Sequence, residues 1–151
     1  MKPIYILFTF VGVGFLNAQT LVINEIDPDS PGTDTAEFIE LYSSTPNLAL
    51  DGYALVLFNG GDDASYASYD LDGQSTDANG YFVIGDSGVV GVSITLFSSG
   101  IQNGADAVAL YKSNKSDFPA DTQVTTANLI DAVVYDSDDA DGMGLLTVLD
   151  K

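Results

Sequence analysis

The chain has 151 residues and a formal charge of −18, from 22 Asp and Glu against 4 Lys and Arg, and it lacks His, Cys and Trp. Without His or Cys, Ser/His and Cys/His nucleophilic schemes cannot be assembled and no disulfide can staple the fold. Nonspecific duplex binding draws on about 6 to 10 cationic phosphate contacts, so direct binding of nucleic acid is not expected of so acidic a chain.

Lys2 precedes an apolar run from Ile4 to Leu16 that ends at Asn17-Ala18-Gln19. Charge, length and small-residue exit are those of a secretory leader, with cleavage expected after Ala18. The run is shorter than the roughly 20 residues that cross a bilayer core. Residues 1–18 are therefore expected to be removed, leaving an exported protein, secreted or at the cell surface, with no membrane span. Its remaining cations are Lys112, Lys115 and Lys151.

Short segments rich in β-branched and aromatic residues follow: Val22–Ile26, Phe38–Tyr42, Tyr53–Phe58, Tyr66–Leu71, Tyr81–Ile84, Val92–Phe97, Val108–Tyr111 and Leu129–Tyr135. Asp51-Gly52, Asn59-Gly60, Asp72-Gly73, Asn79-Gly80 and Asn103-Gly104 punctuate them. Such dipeptides tolerate the positive φ of tight turns. Strands at intervals of about eight to twelve residues predict an all-β, antiparallel β-sandwich, with a jelly roll as the alternative that periodicity leaves open. No helix of ordinary length has room between the turns. Val92, Ile94 and Leu96 alternate with Ser93 and Thr95, so their face is expected to point inward. Tyr53–Phe58 is apolar throughout, which predicts a central strand, an outer face covered by aromatic neighbours, or a site. Tyr53, Tyr66, Tyr69 and Tyr81 are expected either to cover sandwich edges or to form a platform for a sugar or peptide.

Carboxylates are the only catalytic chemistry left. Glu37 and Glu40 would lie on opposite faces of one strand, about 10 Å apart along it, so they do not make a glycosidase pair; one solvated Glu and one loop- or edge-facing Glu are expected. Asp136, Asp138, Asp139 and Asp141 crowd a loop before Gly142, and calcium takes about six to eight oxygen ligands from flexible acidic loops of this kind. The loop is not an EF-hand, because its fifth position is Ala140 and its twelfth Thr147. Asp62-Asp63 and the group Asp27, Asp29 and Asp34 are lesser candidates, and all three sets read equally as acidic solvated turns. Asn114-Lys115-Ser116 has the form of a glycosylation acceptor.

Four blocks recur in order: Ile23-Asn24-Glu25-Ile26, then Gly32-Thr33-Asp34-Thr35-Ala36-Glu37-Phe38-Ile39-Glu40-Leu41, then Ala105 to Tyr111, then Asp131 to Tyr135. In sequence and spacing this resembles the lamin-tail-like domain of secreted bacterial proteins. The resemblance implies an immunoglobulin-like sandwich over residues 19–138, followed by an acidic segment at 139–151, and a module that is not itself a catalyst. It implies a secreted module for binding or attachment, whose partner is a protein or carbohydrate or an adjoining catalytic domain. The alternative is the amino-terminal accessory module of a secreted nuclease or phosphatase-type hydrolase, since similar proteins run on beyond the equivalent of Gly142–Leu146. The chromatin contacts of nuclear lamins are not carried over, because the charge opposes DNA.

Overall fold

The computed structural model describes residues 21–29, 35–96, 100–135 and 141–149. Among these residues eight strands form two four-stranded sheets: β1 (Val22–Asp27), β2 (Phe38–Tyr42), β5 (Tyr81–Gly85) and β6 (Val92–Thr95) in the first, in the order β1-β2-β5-β6, and β3 (Ala54–Asn59), β4 (Ala64–Asp70), β7 (Asp106–Tyr111) and β8 (Leu129–Tyr135) in the second, in the order β4-β3-β7-β8. The chain changes sheet after β2, β4 and β6, so the two layers are woven together. This is an all-β, immunoglobulin-like sandwich. All pairs are antiparallel except β5 with β6, which is parallel.

Alternation decides which side chains fill the space between the layers. Ile39 and Leu41 of β2 with Phe82 and Ile84 of β5 meet Leu55 and Leu57 of β3 with Val108 and Leu110 of β7 in one core. Leu96 is buried and Ile94 packs against the same core, while Ser93 and Thr95 are exposed, so the alternating stripe points inward as expected. Expected and observed strands agree in number and differ at their ends. β4 starts earlier, at Ala64, β7 starts earlier, at Asp106, and β6 stops at Thr95.

A second core lies on the far side of the second sheet. Val56 and Phe58 of β3 and Ala107, Ala109 and Tyr111 of β7 are covered there by Phe118, Leu145 and Leu149. Leu145 and Leu149 belong to a seven-residue helix, α1 (Met143–Leu149), which sequence reasoning did not anticipate. β3 and β7 are thus buried on both faces. The unbroken apolar run of β3 follows from being both central and covered by aromatic neighbours, Tyr111 and Phe118, whose rings stand 4.4 Å apart.

Two glycines are demanded by close approach. A Cβ on Gly60 would stand 1.8 Å from the Ala105 carbonyl oxygen, and one on Gly80, whose φ is 93°, 2.0 Å from that of Ser43. Backbone meets backbone at both points, so no side chain can yield.

Candidate functional site

The edge strand β4 carries the clearest concavity. A groove of 720 Å³ is lined by Tyr66, Ala67, Ser68, Tyr69 and Asp70 and by Asn114, Lys115, Ser116, Phe118, Pro119 and Ala120. Five consecutive residues of β4 contribute and none from its neighbour β3, so the groove runs along the edge of the sheet instead of over a face. The hydrogen-bond ladder fixes what that edge offers. Leu71 N–H donates to the Tyr53 carbonyl (3.1 Å), and Ser68 stands opposite Val56 and Asp70 opposite Ala54. Because bonded and non-bonded pairs alternate in an antiparallel ladder, Ser68 and Asp70 turn their N–H and C=O groups away from β3.

The other half of this edge is already occupied. Ser65 N–H donates to the Thr122 carbonyl and Asp121 N–H to that of Ser65, both at 2.8 Å, while Val124 N–H reaches the Asp63 carbonyl (2.9 Å). The added segment cannot continue past Pro119, which has no N–H to give. It swings over the outer face instead: Ser65 Oγ donates to the Pro119 carbonyl (2.8 Å), Ser68 Oγ to that of Phe118 (3.1 Å), and the Phe118 ring enters the second core. A single 3₁₀ turn, Lys115–Asp117, forms the groove's wall. Asp117 pins it, accepting from Ser113 Oγ (2.5 Å) and from Asn114 N–H (3.1 Å), and these bonds hold its carboxyl below the usual range. Asn114, the expected glycosylation acceptor, is on that wall.

The outer face of the first sheet holds a second, smaller concavity of 480 Å³, lined by Glu40, Asp77, Tyr81, Val83 and Val90 among others. Tyr81 is 39 % exposed and its ring packs 5.1 Å from that of Tyr42. Asp77 accepts from the N–H groups of Tyr81 and Asn79, each at 2.8 Å, which keeps its carboxyl below the ordinary value and charged. Glu40 accepts from Asn24 Nδ2 (2.8 Å) and stands across the ladder from Glu25.

A buried polar network lies in the interior beside β2, β5 and β7. Glu37 Oε2 accepts from Ile101 N–H (3.3 Å), Asp86 Oδ2 from Glu37 N–H (3.1 Å) and Asp106 Oδ1 from Gly60 N–H (2.9 Å). Around them Tyr66 Oη accepts from Gln102 N–H (3.1 Å) and Tyr135 Oη donates to the Gln102 carbonyl (2.9 Å). Burial pushes Tyr66 up to about 12 and raises Tyr135 as well, the latter with help from the adjacent Tyr66. These carboxylates hold loops in place.

A solvated or edge-facing role for Glu37 is therefore corrected, since it is fully buried; of the roles expected for the pair, it takes the loop-facing one, bonded to Ile101 N–H. Strand phase was the one signal of burial, since 37 shares the phase of buried Ile39 and Leu41, 86 that of Phe82 and Ile84, and 106 that of Val108 and Leu110. Glu40 does lie on the opposite face. The four tyrosines do not form one platform. Tyr66 and Tyr69 are on β4 and pack inward, and Tyr81 is on the other sheet. Tyr53 lies under Lys112, whose Nζ is 3.7 Å from the ring centroid. The bulge opposite Leu57 and Phe58 leaves Tyr66 without a cross-strand partner and lets it turn to the core. Of the calcium candidates, Asp136, Asp138, Asp139 and Asp34 lie outside the described residues. Asp141 is exposed in the turn before α1, Asp29 and Asp62 are exposed, and Asp27 is half-buried. Among the described residues no three or more acidic side chains come together as a metal site, and no helix is long and apolar enough to cross a membrane.

Comparison with curated proteins and with solved structures returned no match. Comparison with protein families matched the Lamin Tail Domain over residues 17–137. That span takes in all eight strands and both cores' sheet residues, and with the sandwich just described it means that the chain belongs to the lamin tail domain family.

Proposed function

We propose that this protein is an exported, noncatalytic module that binds or attaches outside the cell, with a protein or carbohydrate as its ligand. The observation that carries the reading is the division of labour among its polar groups. Glu37, Asp86 and Asp106 are buried and spend hydrogen bonds on backbone N–H groups, while the groove beside β4 offers unspent backbone groups to solvent. Large open concavities with a few convergent polar groups are where ligands are held. Export rests on the apolar leader, Ile4 to Leu16.

A saccharide is the reading favoured by the concavity at Tyr81, where a half-exposed ring stands beside the acceptors Glu40 and Asp77. The test is direct. Purified mature chain is titrated with soluble polysaccharides and with extracellular proteins, and is assayed against DNA and phosphate esters. Saturable binding without hydrolysis is expected; hydrolysis by the pure chain overturns the noncatalytic reading. Intact mass of the exported form, expected to begin at Gln19, checks the leader.

Calcium is proposed at the loop of Asp136, Asp138, Asp139 and Asp141, on the density of its carboxylates and the exposure of Asp141. Chelation is expected to lower the thermal unfolding midpoint, and an unchanged midpoint removes calcium from the account.

A further inference from the structure

We infer that the open half of the β4 edge takes an extended cationic polypeptide as an added strand, continuing the pairing that residues 121–124 begin. The inference rests on the binding reading above and names the partner class for its groove. Three observations carry it. Ser68 and Asp70 present N–H and C=O groups spaced for a strand, and the groove gives that strand room. The protein's own chain adds to this edge at Ser65 and is then diverted at Pro119, so the register for further pairing already exists. Main-chain bonds supply affinity in such strand addition, and alternate side chains supply specificity.

Charge selects the occupant. Asp70 and Lys115 line the groove itself, Asp117 and Asp121 neighbour its lining residues in the chain, and the whole chain carries −18. A second copy of this chain would bring the same charge to the interface, whereas a Lys- or Arg-bearing strand meets the opposite sign. With a two-residue repeat, one face of the incoming strand would rest against Pro119 and the other face would be free for its cationic side chains.

The experiment uses the mature protein and a synthetic peptide of about eight residues alternating Lys and Val. The expected result is saturable binding that weakens with added salt, with amide signals of Ser68 and Asp70 shifted and protected from exchange. The same peptide N-methylated on one edge should bind at least about tenfold more weakly, since it forfeits the ladder bonds. Ser68→Pro, which removes an edge donor, should do the same. The methylated peptide keeps the test valid if that variant fails to fold. Equal binding of the methylated peptide, or none by the parent, overturns the inference. So does concentration-dependent dimerisation that Ser68→Pro abolishes, which would make a second copy the occupant. Saccharide binding sensitive to Tyr81→Ala alongside a silent β4 edge would sink the strand and leave the binding function standing.

Discussion

The two sheets share one core but differ in what lies outside them. The second sheet is covered by Phe118 and by the helix residues Leu145 and Leu149, so β7 is buried at every position and β3 at all but its last. Among the described residues nothing similar covers Tyr81 and Val90 on the side of the first sheet, and its outer face carries Glu25 and Glu40 directly opposite each other. Like charges in that position cost stability. The covered sheet therefore bears the weight of the fold, and the bare one is free to vary its surface. β4 belongs to the covered sheet yet is its edge, half closed by residues 121–124 and half open, which is why the groove occurs there.

The contrast is broken most severely by Phe58→Ala. Its side chain is fully buried in the second core, and removing it should cost about 3–5 kcal/mol in urea unfolding. A loss below about 1 kcal/mol would mean that the outer layer is not a true core.

Alkaline titration sharpens the comparison next. Tyr66 and Tyr111, both on the covered sheet, are pushed by burial from 10.0 to about 12. Between those values the unfolded chain binds fewer protons than the folded one, so stability should fall as pH rises from 10 towards 12 and be indifferent to these groups below 10. Tyrosinate absorbance should show these two hydroxyls ionising only with unfolding or near 12; ionisation near 10 in a folded protein would refute their burial.

The smallest effect is expected on the bare face. Tyr81→Ala should change stability by no more than about 0.5 kcal/mol in the same urea experiment, its consequence being confined to ligand binding. A larger loss would show that the Tyr42–Tyr81 ring pair is a structural element and not a site.

Much of this was legible in the residues. Runs of β-branched and aromatic residues between turn dipeptides placed eight strands, while the unbroken apolar run of β3 fitted a central strand, a covered outer face or a site alike. The acidic interior was harder to read. Glu37 and Asp106 sit in phase with buried leucines, isoleucine and valine, but a carboxylate is ordinarily read as exposed because burying one is costly without hydrogen-bond partners. Those partners, the N–H groups of Ile101 and Gly60, lie 64 and 46 residues away. The helix at Met143 was missed because Gly144 within it and Gly142 just before it argue against helix, and burial of Leu145 and Leu149 on the second sheet offsets that preference.

By itself the sequence settled an all-β fold, the inward stripe of Val92, Ile94 and Leu96, and the exclusion of His- and Cys-based chemistry, because these depend on residue type and local period. Tertiary structure alone decided the parallel pairing of β5 with β6, the second core, the loop-holding carboxylates and the unfinished edge at Ser68. Each requires segments far apart in the chain to meet, and no local pattern encodes where a hydrogen bond between distant residues will close.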